Sequence, residues 1–291
     1  MKSWTVSSLL ETATQFLREK LYDYPRLDAE LLLAETLKLR RIDLYLQHDR
    51  SIKEEEVAQF RELIKKRSEG CPTAYLLGRK EFFSIMFEVN NNVMIPRPET
   101  EHLVIEVLYT CEKEKIEAPL IADIGTGSGN IAVSIAKNLP SAVIWAIDTS
   151  GEALKCAEKN IANHELQERI ELLESDYMEA LSGKGLEERL DFVVSNPPYI
   201  ANKEFETLPV GIKNYEPELA FLAGEDGLNS YKTIIPESVD FLMSGGHLIL
   251  EIGAGSSDKI KMIVEENGFY CNTVIKKDFS SIERVLHTQK K

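Results

Sequence analysis

This 291-residue chain has four cysteines, Cys71, Cys111, Cys156 and Cys271, and no two stand at Cys-x-x-Cys spacing. The scatter argues against a disulfide framework and against a zinc site, so the thiols read as reduced packing residues and no metal is expected. Long hydrophobic runs are missing too. Runs such as Leu31-Leu32-Leu33-Ala34 and His247-Leu248-Ile249-Leu250 fall far short of the roughly 20 residues of a membrane span. Met1-Lys2-Ser3-Trp4 opens no apolar signal region, so the expectation is a soluble cytoplasmic protein without a membrane partner. Internal repeats and low-complexity stretches are also absent.

Basic excess is the third thing lacking. The formal net charge is -14, and its distribution is uneven: residues 1–75 carry 13 Lys+Arg against 13 Asp+Glu, the remainder 21 against 35. Duplex binding depends on Lys and Arg neutralising phosphates, so stable nucleic-acid binding is not expected of this acidic body. A basic protein partner suits it better. With 43% hydrophobic residues the chain has enough apolar content for a sizeable core, and its length is comfortable for two domains.

Residues 1–75 read as a small helical bundle. Leu9, Leu10, Ala13, Phe16, Leu17 and Leu21 recur at spacings of three and four, and Leu27, Leu31, Ala34, Leu37 and Leu39 continue the pattern after Pro25. A third helix is expected over 54–67, with Ser51 as N-cap and Gly70 just past its end. Nothing in this part resembles a catalytic cluster, so its role is recognition or cover. Residues 76–96 switch to short β-like segments, Phe82-Phe83, Met86-Phe87-Glu88-Val89 and Val93-Met94-Ile95, and read as a hairpin linker. They deliver Pro96-Arg97-Pro98-Glu99-Thr100-Glu101, a stiff loop leading into a helix. Arg97, held between two prolines, is as well placed to fix a substrate as to start that helix.

From residue 97 to 291 strands and helices alternate, the pattern of a mostly parallel sheet covered on both faces. Leu120-Ile121-Ala122-Asp123-Ile124 reads as a strand, followed by Gly125-Thr126-Gly127-Ser128-Gly129 and an apolar helix. Glycines at alternate positions let a ligand approach the backbone at the mouth of such a sheet. The next strand, Ala142-Val143-Ile144-Trp145-Ala146-Ile147, ends in Asp148, which suits the two hydroxyls of a ribose. The third glycine comes one position early for a dinucleotide fingerprint. Asp123, the glycine turn and Asp148 instead resemble the cofactor motif of Rossmann-like S-adenosylmethionine-dependent methyltransferases. In that resemblance the turn after Ile170-Glu171-Leu172-Leu173-Glu174 lies beside adenine, with Asp176 accepting from its amino group and Tyr177 offering a ring face.

A fourth strand, Leu190 to Ser195, carries Asn196-Pro197-Pro198-Tyr199 to the same carboxyl edge of the sheet. Two prolines end the strand and stiffen the loop. Two acceptors, the Asn196 side-chain carbonyl and the Pro197 main-chain carbonyl, suit the two hydrogens of a planar NH2 group and strengthen as its nitrogen becomes cationic. Pro198 and Tyr199 complete the substrate side, with Tyr199 stacking on that planar group and excluding water. No general base is evident among these residues.

Taken with Ile95-Pro96-Arg97-Pro98-Glu99-Thr100-Glu101, Tyr215-Glu216-Pro217 and Leu222-Ala223-Gly224-Glu225-Asp226-Gly227-Leu228, these motifs resemble the protein-(glutamine-N5) methyltransferases of peptide-chain release factors over essentially the full length. The resemblance implies an α/β fold: a Rossmann-like seven-stranded class I methyltransferase domain with an antiparallel last strand, a small N-terminal helical bundle and a connecting β-hairpin. It implies S-adenosyl-L-methionine as cofactor, with S-adenosyl-L-homocysteine as product. Gly125, Thr126, Gly127, Ser128, Gly129, Asp148, Asp176, Tyr177 and Asn196 are then cofactor contacts. Asn196, Pro197 and Tyr199 are catalytic, and Pro198 and Arg97 join them on the substrate side. The implied substrate is the glutamine of the Gly-Gly-Gln loop in class I release factors, bound by a monomeric enzyme. The tetrapeptide alone leaves ribosomal-protein glutamine methylation and N6-adenine methylation of nucleic acid open. A nicotinamide-dependent oxidoreductase would share the fold but leave Asn196-Pro197-Pro198-Tyr199 unexplained.

Overall fold

The computed structural model describes residues 4–291, so Met1, Lys2 and Ser3 of the Met1-Lys2-Ser3-Trp4 stretch lie outside the described residues. Two compact units emerge: Met1–Arg79 with Pro209–Tyr215, and Lys80–Leu208 with Glu216–Lys291. The return of Pro209–Tyr215 to the first unit comes from a stretch with no hydrophobic periodicity of its own.

The first unit is built of the helices Val6–Glu19, Pro25–Leu37, Arg41–Leu46, Glu54–Ser68 and Thr73–Leu77, with Val210–Tyr215 added. Thr5 starts the first helix reciprocally: its hydroxyl accepts from Ser8 N–H at 3.2 Å while Ser8 Oγ accepts from Thr5 N–H at 3.0 Å. Pro25 occupies the first turn of the second, where no N–H is needed. Glu54–Ser68 has three acids in its first turn and three bases in its last, complementing the helix dipole. Leu9, Leu10, Leu17, Leu32, Leu33 and Phe60 bury the facing stripes. Two local expectations change. Leu21 lies beyond the first helix with φ 61 and is 90% exposed, so it is no core residue. Ser51 pairs with Thr5 in an isolated bridge. The helix at 54 is capped instead at Lys53, whose N–H donates to Glu56 at 2.9 Å.

At the start of the second unit, β1 (Arg79–Phe82) and β2 (Ile85–Glu88) form a hairpin turned by Phe83 and Ser84, both at positive φ. Val93-Met94-Ile95 forms no strand. Its Ile95 N–H donates to the Glu216 side chain at 2.9 Å rather than to a ladder. The main sheet follows: β3 (Leu120–Ile124), β4 (Val143–Asp148), β5 (Ile170–Glu174), β6 (Leu190–Ser195), β7 (Leu242–Glu251), β8 (Tyr270–Lys277) and β9 (Glu283–Lys290). Their spatial order is β5-β4-β3-β6-β7-β9-β8, parallel through β7, with β9 antiparallel to both β7 and β8.

Successive residues of each strand face opposite sides of the sheet, so two cores form. Ile121, Ile144, Phe192 and Val194 meet the helices Glu101–Glu114 and Asn130–Asn138 and the hairpin's Phe82 and Phe87 on one face. Ala122, Val193, Leu248 and Leu250 meet the helices Asn229–Phe241 and Ser257–Asn267 on the other. Burying each such Leu or Phe contributes about 1.5–3 kcal/mol. The strand order reverses direction between β3 and β6, which opens a crevice at their carboxyl ends.

Candidate active site

That crevice is a cleft of about 320 Å³. The turn after β3 forms its floor. Gly125 N–H and Thr126 N–H both donate to Ile147 O at the end of β4, at 2.8 and 2.9 Å, pinning the turn to the neighbouring strand. Gly127 has φ 55 and Gly129 φ 78, values that L side chains adopt at a cost. A Cβ added at Gly127 would meet nothing within 4 Å and would project into open space, whereas one at Gly129 would approach Ala157 Cβ to 3.3 Å. Gly127 therefore leaves room for a ligand and Gly129 lets two helices pack. Asn160, fully buried, ties this floor to the hairpin: its Nδ2 donates to Ser128 O at 2.8 Å and to Glu88 O at 3.0 Å.

Asp148 stands at the end of β4, where one carboxylate oxygen accepts from Gly127 N–H at 2.8 Å and the other from Ser150 N–H at 2.9 Å. Burial raises its pKa, and the main-chain bonds from Ser150 and Gly127 oppose that rise. Each oxygen keeps a free lone pair for a ligand hydroxyl. Asp123 lies beneath the turn, fully buried, with Oδ2 accepting from the Thr126 hydroxyl at 2.7 Å and Oδ1 without a partner. Burial pushes its carboxyl up to about 7.

Across the cleft, Ser195 at the end of β6 donates its hydroxyl to Ile124 O at 2.7 Å, fixing the two strand ends together. The next residues are then held by a second loop. Ile200 N–H donates to Phe221 O at 2.8 Å and Ala223 N–H to Ile200 O at 3.0 Å. This loop contributes Pro217, Leu219, Ala220 and Leu222 to the cleft wall, and Arg97 braces it through a 2.5 Å ion pair with the buried Glu216. Asn196 donates its Nδ2 to Thr100 Oγ1 at 3.0 Å, and Thr100 Oγ1 donates to Glu251 Oε2 at 2.7 Å. Burial pushes the Glu251 carboxyl up to about 7, with the Thr100 bond and the Arg284 charge working against it.

Gly125, Thr126, Gly127, Ser128, Asp148, Asp176, Tyr177, Asn196, Pro197 and Pro198 all line the one cleft, although the chain separates its first and last members widely. Gly129, Arg97 and Tyr199 do not line it. Tyr199 packs beside Gly253, where an added Cβ would come within 3.2 Å of its ring, and its hydroxyl lies 3.4 Å from Glu251 Oε1. Burial raises the pKa of that phenol. Thr100 and Glu251 are the residues that sequence reasoning missed. An acid at the carboxyl end of a parallel strand beside the cleft was the available signal for Glu251.

A mostly parallel seven-stranded sheet with a reversed last strand, a glycine turn and an Asn-Pro-Pro-Tyr loop facing it across one cleft define a class I methyltransferase. Residues 8–78 match the PrmC N-terminal domain family and residues 102–210 the methyltransferase small domain family. The chain is 43% identical to the release factor glutamine methyltransferase of Rhodopirellula baltica, over 99% of this chain and 97% of that protein. To the enzyme of that name from Chlorobaculum tepidum it is 36% identical, over 98% and 97%. The chain belongs to the release factor glutamine methyltransferase family. Among solved structures, the hMettl16 catalytic domain in complex with MAT2A 3'UTR hairpin 6 aligns with a TM-score of 0.55 at 18% identity, over 82% of this chain and 84% of that one. That likeness concerns the fold alone.

Proposed function

We propose that the enzyme transfers a methyl group from S-adenosyl-L-methionine to the side-chain amide nitrogen, N5, of the glutamine in the Gly-Gly-Gln loop of class I peptide-chain release factors. The observation that carries this reading is near-full-length membership of the family combined with an Asn-Pro pair that shares a cleft with the glycine turn. Two features fit the cofactor: the open space above Gly125 and Gly127, and the unpartnered buried oxygen of Asp123 beneath them. S-adenosyl-L-methionine supplies a methyl group on a positively charged sulfur and leaves as S-adenosyl-L-homocysteine.

The chain's own residues do the rest. Residues 125–129 lend a side-chain-poor floor, Asp148 receives the ribose hydroxyls, and Asp176 and Tyr177 receive the adenine. An amide nitrogen is a poor nucleophile because its lone pair is delocalised into the carbonyl. Asn196 Oδ1 and Pro197 O accept its two hydrogens, aim the lone pair and stabilise the positive charge that develops on nitrogen. Pro198 lines the cleft and excludes water there, while Tyr199, packed beside Gly253 with its hydroxyl toward Glu251, supports the loop from behind rather than stacking on the amide. Arg97, through Glu216, holds the loop that closes the substrate side. Once methylated, the nitrogen releases one proton to water, so no general base is assigned. The helical unit, residues 1–75 in this assignment, grips a second part of the release factor, and residues 76–96 link it to the catalytic residues 97–291. No helix among the described residues is long and apolar enough to cross a membrane, and the reading places a monomeric enzyme in the cytoplasm without stable nucleic-acid partners.

The test is transfer of labelled methyl to purified release factor, its Gln→Ala loop variant, ribosomal proteins and duplex DNA. Label is expected in the intact factor alone, and label in DNA or in the loop variant overturns the assignment. Asn196→Ala should lower single-turnover transfer by on the order of a hundredfold and leave cofactor affinity within about twofold. A near-wild-type rate removes Asn196 from the chemistry.

A further inference from the structure

Asn196 serves an amide substrate only if its own amide turns oxygen, not NH2, toward the cleft. The residue itself does not set that direction, since both ends of the group are similar in size and either can hydrogen-bond. Its neighbour Thr100 does. Thr100 leads from the 3-10 turn Pro98–Thr100 into the helix Glu101–Glu114, and its side chain makes no capping bond. Here the hydroxyl is committed elsewhere, 2.7 Å from Glu251 Oε2, at a site where Thr100 is 1% and Glu251 2% exposed.

A hydroxyl has one proton, and an ionised carboxylate only accepts. With its proton given to Glu251, Thr100 can only accept from Asn196, so the Asn196 group facing it at 3.0 Å must be NH2. Oδ1, on the other side of Cγ, is left for the cleft. The remaining groups around Glu251 agree with an acceptor-only carboxylate. Tyr199 donates toward Oε1 at 3.4 Å, and Tyr231 on the helix Asn229–Phe241 donates to the Glu251 main-chain carbonyl at 2.9 Å. The Arg284 guanidinium on β9 favours the charge, and Glu99 opposes it.

We propose that Thr100 and Glu251 are positioning residues for methyl transfer, a carboxylate-to-hydroxyl relay that fixes the polarity of the Asn196 amide so that its oxygen meets the substrate NH2. The proposal rests on the amide-methylation reading above. It also makes the polarity reversible. When Glu251 takes up a proton, its O–H donates to Thr100, the Thr100 proton is freed to donate to Asn196 Oδ1, and the amide is satisfied with NH2 turned to the cleft. That orientation repels the substrate's own NH2. Burial pushes the Glu251 carboxyl up to about 7, which brings the reversal into an accessible range.

The experiment measures single-turnover methylation of release factor from pH 5.5 to 8.5 for the wild type, T100V, T100S and E251Q, with cofactor binding and thermal melting recorded alongside. The wild-type rate should rise through a midpoint near pH 7. T100V keeps the shape of the side chain but not the acceptor, and is expected to lose on the order of tenfold to a hundredfold in rate, with cofactor affinity unchanged. T100S restores the hydroxyl and should recover the rate and the acid limb. In E251Q the amide can either accept from or donate to Thr100, so the rate should fall and the acid limb vanish, which also separates this group from Asp123. A wild-type rate and pH profile in T100V, a pH-independent wild type, or an acid limb surviving in E251Q overturns the relay. If T100V does not fold, the wild-type profile compared with E251Q decides. Failure of the wild type to methylate release factor at any pH counts against the functional reading itself; an active wild type with an indifferent Thr100 counts against the relay alone.

Discussion

Replacing Asp148 with asparagine changes one atom and tests the cofactor side of the cleft. In the native protein each carboxylate oxygen accepts one main-chain N–H, Gly127 at 2.8 Å and Ser150 at 2.9 Å, and each keeps a lone pair for a ligand hydroxyl. Asparagine has one oxygen. Whichever way its amide turns, an NH2 group faces either the Gly127 or the Ser150 N–H, and one ligand acceptor becomes a donor. A hydrogen bond to a charged group is worth about 1.5–3 kcal/mol. The loss of one such bond to a ribose hydroxyl therefore corresponds to an affinity lower by roughly tenfold to 150-fold, at 1.4 kcal/mol per tenfold. Calorimetric titration with S-adenosyl-L-homocysteine, which binds without reacting, reads the change directly. Near-identical circular dichroism of the two proteins guards against gross misfolding. A dissociation constant within twofold of wild type would refute the assignment of Asp148 to the ribose and with it the orientation of the cofactor in the cleft.

Gly129→Ala combines a left-handed φ of 78 with a 3.3 Å approach to Ala157; it should destabilise the protein by about 1–3 kcal/mol in urea unfolding, and an unchanged midpoint contradicts this. Phe60→Ala removes one of the largest fully buried side chains of the helical unit and should cost about 3–5 kcal/mol, checked by the same measurement; a loss below 1 kcal/mol argues that the site collapses around the truncation. Burial raises the folded pKa of Glu251 to about 7, above the roughly 4.3 of an unfolded glutamate, so the folded chain binds more protons between those values. That contribution to stability is complete below about pH 4 and is lost as pH rises through 7. The stability difference between wild type and Glu251→Gln should accordingly drift against the wild type from pH 5 to 8, and a drift in the opposite direction contradicts the sign.

Much of the sheet could be read in advance because its strands are short apolar runs with clear punctuation. β3, β5 and β6 match the runs Leu120 to Ile124, Ile170 to Glu174 and Leu190 to Ser195. β7 is longer than its apolar run. The pattern suggests a strand only from Gly245 to Glu251, yet pairing that begins at Leu190 and Leu242 extends it back through Met243 and Ser244. Tertiary pairing overrides local propensity there. The site divides in the same way. Residues carried on contiguous motifs, from Gly125 to Ser128 and from Asn196 to Pro198, were legible because the motif itself displays their chemistry. Thr100 with Glu251, and Arg97 with Glu216, were not, since each pair joins residues more than a hundred positions apart. Tyr199 shows a subtler limit. Its place depends on Gly253, which lacks the Cβ that would crowd the ring, and no pattern near Tyr199 announces that.

The distribution of charge in the cleft follows from what must be stabilised and when. The cofactor carries its positive charge in the ground state, and a carboxylate beside the reacting methyl would hold that charge before transfer as firmly as during it. Such uniform binding does not accelerate the step. A neutral carbonyl oxygen placed at the substrate nitrogen acts where charge arrives, and so favours the transition state. In the proposed mechanism asparagine and a proline-fixed main-chain carbonyl meet that requirement, whereas an aspartate at 196 would not. When ionised, Glu251 holds its negative charge one hydroxyl removed from Asn196. In the proposed relay it orders the amide's direction from there without competing for the cation. Its burial, which disfavours ionisation and costs the folded state some stability at neutral pH, is the condition for its hydrogen bonds to go to Thr100 and Tyr199 rather than to water.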